Sequence, residues 1–172
     1  IKDAVKMGVT DMILTPHYRF KYKLGKEKLE EEFLNFKKEV ASQEFPINLY
    51  LGQEIYIDKD YARIFDEKQV LTINGTNYVL LEFYYGREYD IVHAVFELSL
   101  RGYKAVIAHF ERYSYATISD AESIKKMGGL IQVNASSIVG KDGFDLKKRA
   151  KRLFEEGLVD FVASDIHSNR TN

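Results

Sequence analysis

Four times in this 172-residue chain a helix-like pattern reaches a glycine and, within two residues, an apolar run begins. Gly8 leads into Val9 to Leu14, Gly102 into Tyr103 to Ala108, Gly128-Gly129 into Leu130 to Val133, and Gly157 into Leu158 to Ala163. A glycine just past a helix takes the left-handed conformation without a Cβ penalty. A helix that returns to a strand so quickly is the αβ junction of a parallel sheet or barrel. Two more apolar runs, Ile47 to Leu51 and Tyr78 to Leu81, lack the leading glycine. Strands are therefore expected near residues 9–15, 47–53, 77–82, 104–109, 130–134 and 158–164. Their spacing, roughly 25 to 35 residues, is that of β/α units.

The helices between them are readable from apolar spacing. Leu29, Phe33, Phe36 and Val40 mark a helix over 26–40, whose Lys/Glu run reads as a solvated face. Others are expected over 88–101, over 120–127 with Ser119 as N-cap, and over 145–156. Six strands do not comfortably close a (β/α) barrel. Because Ile1 stands mid-helix, a further strand is expected upstream of it. An open doubly wound sheet is the alternative architecture. It is disfavoured, because no glycine-rich phosphate loop follows any strand.

Composition narrows the chemistry. At 45% hydrophobic and 30% charged, the chain suits one globular domain with a sizeable core. A net charge of −1 offers no general attraction to nucleic acid or acidic membranes. The absence of cysteine removes disulfides, thiolate metal sites and cysteine nucleophiles. No apolar run approaches the roughly 20 residues that span a bilayer. The expected setting is the cytoplasm.

The chemistry gathers where the strands end. Phe161-Val162-Ala163 runs into Ser164-Asp165-Ile166-His167. In extended backbone, residues two apart share a side, so Asp165 and His167 would aim at one point. The other strands run out at His17, Glu54, Glu82, His109 and Asn134. Parallel strands would collect these groups at one face. Three carboxylates together raise one another's pKa unless cations neutralise them. Imidazole and carboxylate ligands without sulfur suit Mn²⁺, Fe²⁺ or Zn²⁺, with Mg²⁺ possible. The ligands outnumber those of one tetrahedral ion, which indicates two or more metals. Such a site activates water and clamps the oxygens of an in-line displacement, most often at a phosphate ester.

Each residue also has a plainer reading. A lone His or Glu at a strand end is more often a rim residue than a ligand, and His17 after Pro16 could sit in a turn. Arg112, three residues after His109, could bind phosphate in bidentate fashion, or form a salt bridge to Glu111 or a neighbouring loop. Arg170, three residues after His167, has the same two readings. Asn134 either orients a ligand or holds its own loop. Tyr84, Tyr85 and Tyr89 either rim a substrate or pack their loop. His93, mid-helix, reads as structural or surface.

Thr-Pro-His17, Gly-Gln-Glu54-Ile-Tyr, Leu-Leu-Glu82-Phe, Ile-Ala-His109-Phe-Glu-Arg112-Tyr, Gln-Val-Asn134-Ala-Ser and Ala-Ser-Asp165-Ile-His167 follow one another as in a known group. The chain resembles the PHP (polymerase and histidinol phosphatase) superfamily along essentially its whole length. Within it, the nearest group is the bacterial manganese-dependent protein-tyrosine phosphatases of capsule and exopolysaccharide operons. The resemblance implies an α/β fold, a distorted (β/α) barrel of PHP type with about seven strands when complete, about six of them here. It implies His17, Glu54, Glu82, His109, Asp165 and His167 as metal ligands, and Arg112 and Arg170 as phosphate contacts. It implies two or three ions, Mn²⁺ before Fe²⁺, Zn²⁺ or Mg²⁺.

The substrate it implies is a phosphotyrosine protein, the Tyr-rich tail of an autophosphorylating bacterial kinase. The family's opening Asp-x-His-x-His strand is not among residues 1–172. Residues 1–172 are thus expected to be one PHP-type domain lacking its N-terminal strand and its C-terminal end. A molecule starting at Ile1 would have an incomplete metal site and poor activity. Two rivals stay open: a phosphatase of small monoesters such as histidinol phosphate, and a non-catalytic scaffold.

Overall fold

The computed structural model describes residues 1–19 and 24–167. The chain divides into two compact units, Ile1–Leu80 and Leu81–Asn172. Strand pairing is parallel in both, as the glycine junctions require. Gly8, Gly102, Gly128 and Gly157 each follow a helix end with φ of 84, 83, 80 and 66°. A Cβ in that conformation costs about 1 kcal/mol, so glycine is selected there by backbone geometry.

The first unit holds α1 (Lys2–Lys6), β1 (Asp11–Leu14), β2 (His17–Tyr18), α2 (Lys26–Ser42), β3 (Asn48–Leu51), β4 (Glu54–Tyr56) and α3 (Tyr61–Asp66). Sequence spacing predicts one strand over 9–15 and one over 47–53. The structure breaks each in two. β1 pairs with β3 from Asp11↔Asn48 to Leu14↔Leu51. The chain then steps over Thr15-Pro16 and Gly52-Gln53, and β2 pairs with β4 at His17↔Glu54. Pro16 has no N–H to give a ladder. Its carbonyl instead accepts the Glu54 N–H at 3.2 Å, and Leu14 accepts the Gly52 N–H at 2.9 Å. His17 and Glu54 therefore open short second strands rather than standing beyond the ends of the first.

β5 (Tyr78–Glu82) begins in the first unit and ends in the second. The second unit continues with α4 (Ile91–Leu100), β6 (Lys104–Ile107), α5 (Ile118–Lys126), β7 (Leu130–Asn134), α6 (Ala135–Val139), α7 (Phe144–Glu155) and β8 (Phe161–Ala163). Its strands lie in the order β5-β6-β7-β8. Leu81, Ile107, Ile131 and Val133 are fully buried, the apolar run expected of parallel strands covered on both faces. Each such side chain contributes roughly 1.5–3 kcal/mol.

Three local expectations need correcting. α4 starts at Ile91, not at residue 88, because the Asp90 carboxylate caps the His93 N–H at 2.8 Å. α5 starts at Ile118, capped by Thr117 in a reciprocal box with Asp120; Ser119 lies inside the helix. β8 is not a buried run: it is the last strand in the order, and Phe161 and Val162 are exposed. His93 is exposed on α4, as read. Among the described residues no helix is long and apolar enough to cross a membrane.

Candidate active site

In the first unit, strand register makes the geometry. The β2–β4 pairing places His17 opposite Glu54, and Nδ1 of His17 lies 2.9 Å from Oε2 of Glu54. The Glu54 side chain is only 6% exposed. A carboxylate that deep is costly without a positive or hydrogen-bonding partner. The neighbouring loop is pinned by Gln53, whose buried Oε1 accepts the Leu71 N–H at 3.0 Å.

In the second unit the geometry comes from a network. β5 delivers Glu82 at its last residue and β6 runs into His109, and both side chains are buried. His109 adopts left-handed φ and ψ of 36° and 51°, which turns its ring out of the strand direction. Nε2 of His109 faces Oε1 of Glu82 at 4.0 Å. The Tyr85 hydroxyl lies 3.1 Å from Oε1 of Glu82, to which it donates, and 3.4 Å from Nε2 of His109. On the other side of the ring, Nδ1 of His109 lies 3.3 Å from the Tyr113 hydroxyl. That hydroxyl accepts the Phe83 N–H at 3.0 Å. A partner on the second ring nitrogen is the usual way a metal-binding imidazole is oriented.

Arg112 sits on the short turn after His109. Nη1 lies 3.4 Å from Asp165 and Nη2 lies 3.8 Å from Asp142. The guanidinium is also hydrogen-bonded to Tyr85. Burial pulls its pKa down, but the Tyr85 bond and the Asp165 and Asp142 carboxylates outweigh this, and the net shift is upward. Of the plainer readings, the pair with Glu111 is not the one found; Arg112 faces carboxylates of neighbouring loops, Asp142 and Asp165. Glu111 points the other way and is wholly buried. Its Oε1 accepts the Asn134 N–H at 3.1 Å and the Ser137 hydroxyl at 2.7 Å. Burial, then the Glu82 carboxylate, raise the pKa of Tyr85 well above the usual phenol range.

Asn134 ends β7 and donates its side-chain N–H to Oδ2 of Asp165 at 2.8 Å. Of its two readings, orienting a ligand-type carboxylate is the one with a bond behind it. Asp165 has a left-handed φ of 49°. The strand stops at Ala163, so extended backbone is not what brings Asp165 and His167 together. The His167 ring is exposed and turns back, with Nδ1 3.0 Å from the Asp165 carbonyl and 3.6 Å from its Oδ1. Arg170 lies outside the described residues.

The donors of each unit suit a divalent cation of borderline hardness. They are imidazole nitrogens and carboxylate oxygens, without thiolate. Glu54, Glu82 and His109 are buried, where a carboxylate's charge needs a positive or hydrogen-bonding partner.

Sequence reading missed the residues that hold this arrangement. Glu111 and Tyr113 stand inside the motif around His109 without a role assigned to them, and Ser137 and Arg149 stand outside every motif, because their partners are distant in sequence. Arg149 on α7 is the clearest case. Its Nε donates to the Glu111 carbonyl at 2.8 Å. Its Nη2 donates to the carbonyls of Tyr113 at 2.6 Å and Ala116 at 2.9 Å. One guanidinium thus spans the segment that follows His109.

Residues 1–172 match the family model described as "Capsular polysaccharide synthesis, CpsB/CapC". The chain is 32% identical to the CapC protein of Staphylococcus aureus, over 98% of this chain and 68% of that protein. It is 31% identical to tyrosine-protein phosphatase YwqE of Bacillus subtilis, over 98% of this chain and 68% of YwqE. A solved structure from work on YwqE and on CpsB of Streptococcus pneumoniae, described as "unique metal-dependent tyrosine phosphatases", superposes with a TM-score of 0.89. That alignment is 31% identical and covers 99% of this chain and 70% of the other. The α/β fold with parallel strands is thus of the PHP-type capsule phosphatases, and the chain belongs to the CpsB/CapC family of capsular polysaccharide synthesis.

Proposed function

We infer that this chain is a metal-dependent protein-tyrosine phosphatase, a phosphoric monoester hydrolase of capsule synthesis. The observation that carries the reading is the second unit's constellation: buried Glu82 and His109 with Arg112 joined to them through Tyr85. It stands in a chain about 30% identical, along nearly all its length, to proteins named tyrosine-protein phosphatases.

We read His17, Glu54, Glu82, His109, Asp165 and His167 as the metal ligands. Arg112, and Arg170 beyond the described residues, are read as the phosphate contacts. Bound metal supplies positive charge and an activated water for in-line displacement at phosphorus. The chain's own groups do the rest. Glu54 and Glu82 hold their charge out of bulk water. Asn134 fixes the rotamer of Asp165. Tyr113 fixes the His109 ring. Arg112 offers two parallel N–H donors to the equatorial oxygens, where charge builds as the leaving phenol departs. With no cysteine in the chain, a thiol phospho-enzyme is excluded.

Mn²⁺, as two or three ions, is the metal we favour, and residues 1–172 are read as one PHP-type domain. The substrate we favour is the Tyr-rich tail of an autophosphorylating bacterial kinase in the cytoplasm. The test is turnover of a phosphotyrosine peptide by the full-length protein before and after chelation. Chelation should abolish turnover and Mn²⁺ should restore it. Undiminished turnover by the stripped protein would refute metal dependence. A preference for histidinol phosphate over the peptide would move the substrate to small monoesters.

A further inference from the structure

We propose that Tyr85 is a further catalytic residue, a hydrogen-bond donor to the same phosphoryl oxygens that Arg112 holds. This rests on the phosphatase reading above, and it assigns a role that the chain's motifs do not.

Tyr85 lies in the loop after β5, three residues beyond Glu82. Its ring is half-exposed, yet its oxygen is turned inward onto buried groups of the site. It lies within hydrogen-bond reach of Glu82 and His109 and is bonded to Arg112. It is therefore the point at which two ligand-type groups and the phosphate-type group meet. A phosphoryl oxygen held by Arg112 beside Glu82 and His109, the residues that would hold a cation, would come close to this hydroxyl. The phenol O–H would then lie beside it.

The side chain is also held ready. Its ring stacks on Tyr113 with centroids 5.6 Å apart and planes 19° apart. Tyr113 is itself fully buried and anchored through its hydroxyl to the Phe83 N–H. A donor fixed in this way loses little freedom when the substrate arrives. Arg112 donates to the phenol oxygen, which leaves the phenol's single hydrogen for an acceptor. In the structure that acceptor is Glu82; in the complex it is the phosphoryl oxygen. The bond to Glu82 also satisfies a buried carboxylate; Tyr85→Phe separates that structural role from donation to phosphate.

The experiment is Tyr85→Phe in the full-length, Mn²⁺-loaded protein, with Tyr84→Phe on the same loop as control. The Phe variant keeps the ring stack and loses only the hydroxyl. Far-UV circular dichroism and the unfolding midpoint confirm that it folds. Turnover is measured on p-nitrophenyl phosphate and on phenyl phosphate, whose leaving groups differ in basicity. Inorganic phosphate binding is measured by calorimetry.

The expected result is a fall in kcat of about 10²-fold on both esters, as for loss of one donor to developing charge. Phosphate should bind about tenfold more weakly, the weight of one hydrogen bond. Equal turnover and equal phosphate affinity overturn the proposal. A defect confined to phenyl phosphate with phosphate binding intact also overturns it, since the donor then serves the leaving oxygen. If wild type turns over neither ester, the phosphatase reading falls. The phosphate affinities of the two proteins still decide whether Tyr85 is a donor.

Discussion

In residues 1–80 an imidazole meets a carboxylate because two short strands run in register; in residues 81–172 a comparable pair is held by a web of side chains. His17 and Glu54 need only the β2–β4 pairing to come within 2.9 Å. His109 and Glu82 stand 4.0 Å apart, with a tyrosine hydroxyl near each nitrogen of the imidazole. The first arrangement is set by the register of two strands that His17 and Glu54 open. The second is set by residues such as Tyr113 and Arg149, whose roles appear only when distant segments meet. Buried networks of this kind are worth more than their separate bonds when every member is present.

The largest expected effects come from the two buried carboxylates. Glu54→Gln and Glu82→Gln should each reduce phosphotyrosine turnover by at least about 10²-fold, since even the partners of metal ligands are worth about 10–100-fold. The two should differ in another readout. Glu82→Gln also alters the acceptor of the Tyr85 hydroxyl, so it should change the near-UV tyrosine spectrum, while Glu54→Gln should not. Identical spectra for both variants would show that Tyr85 does not depend on Glu82 and would blur the contrast between the units.

Next comes Arg149. Arg149→Met removes the donor to three backbone carbonyls in the 111–116 segment. Hydrogen bonds from a charged donor contribute about 1.5–3 kcal/mol each, and left-over buried carbonyls add a penalty. Allowing for water reaching this partly exposed residue, a loss of roughly 3 kcal/mol is expected in urea unfolding. Amide exchange should quicken in residues 109–116 and stay unchanged around β1 and β3. Loss of protection spread evenly over both units would mean that Arg149 supports the whole fold rather than this segment.

These residues also mark how far the sequence could be read. The parallel α/β architecture was legible because glycine past a helix end has one conformational reason to be there, and four such junctions repeat. Glu82, His109 and Asn134 were legible as strand-end polar groups after buried apolar runs. The split of the first two strands was not, because Pro16 and Gly52 read as ordinary turn residues until their ladder partners are seen. Nor was the exposure of Phe161 and Val162, since an apolar run alone does not reveal whether a strand is central or last in its sheet. Asp165 shows a further limit. The reasoning from extended backbone was sound in general, but a left-handed residue at that position redirects the side chains that follow. Tyr85 had two readings, substrate rim or loop packing, and neither foretold a hydroxyl set on Glu82 and His109.

The smallest expected effect compares one surface carboxylate from each unit. Asp142 accepts the hydroxyl hydrogen of Ser136 at 2.5 Å, lies 2.8 Å from the Ser137 hydroxyl, whose single hydrogen it shares with Glu111, and faces Arg112. The Ser136 bond lowers its pKa most; burial opposes this, and Ser137 and Arg112 add to the lowering. In the first unit Asp11 is also lowered, by Thr10 and then by Asn48 and Tyr50. A carboxylate whose folded pKa lies below its unfolded value stabilises the fold above the unfolded value and loses that contribution as pH falls through the folded one. The difference in unfolding midpoint between wild type and Asp142→Asn should therefore be constant from pH 7 to about 5. It should close below the ordinary carboxylate value of 3.8. At neutral pH it should stay below about 1 kcal/mol, as for other exposed ion pairs. Asp11→Asn should show the same direction. The units should part at Arg112: freed of Asp142, it should bind inorganic phosphate more tightly in Asp142→Asn, whereas Asp11→Asn leaves phosphate binding as it was. A pH-independent gap for Asp142→Asn would place its contribution in the hydrogen-bond geometry rather than in the charge. Unchanged phosphate affinity would remove Asp142 from the set of groups that compete for Arg112.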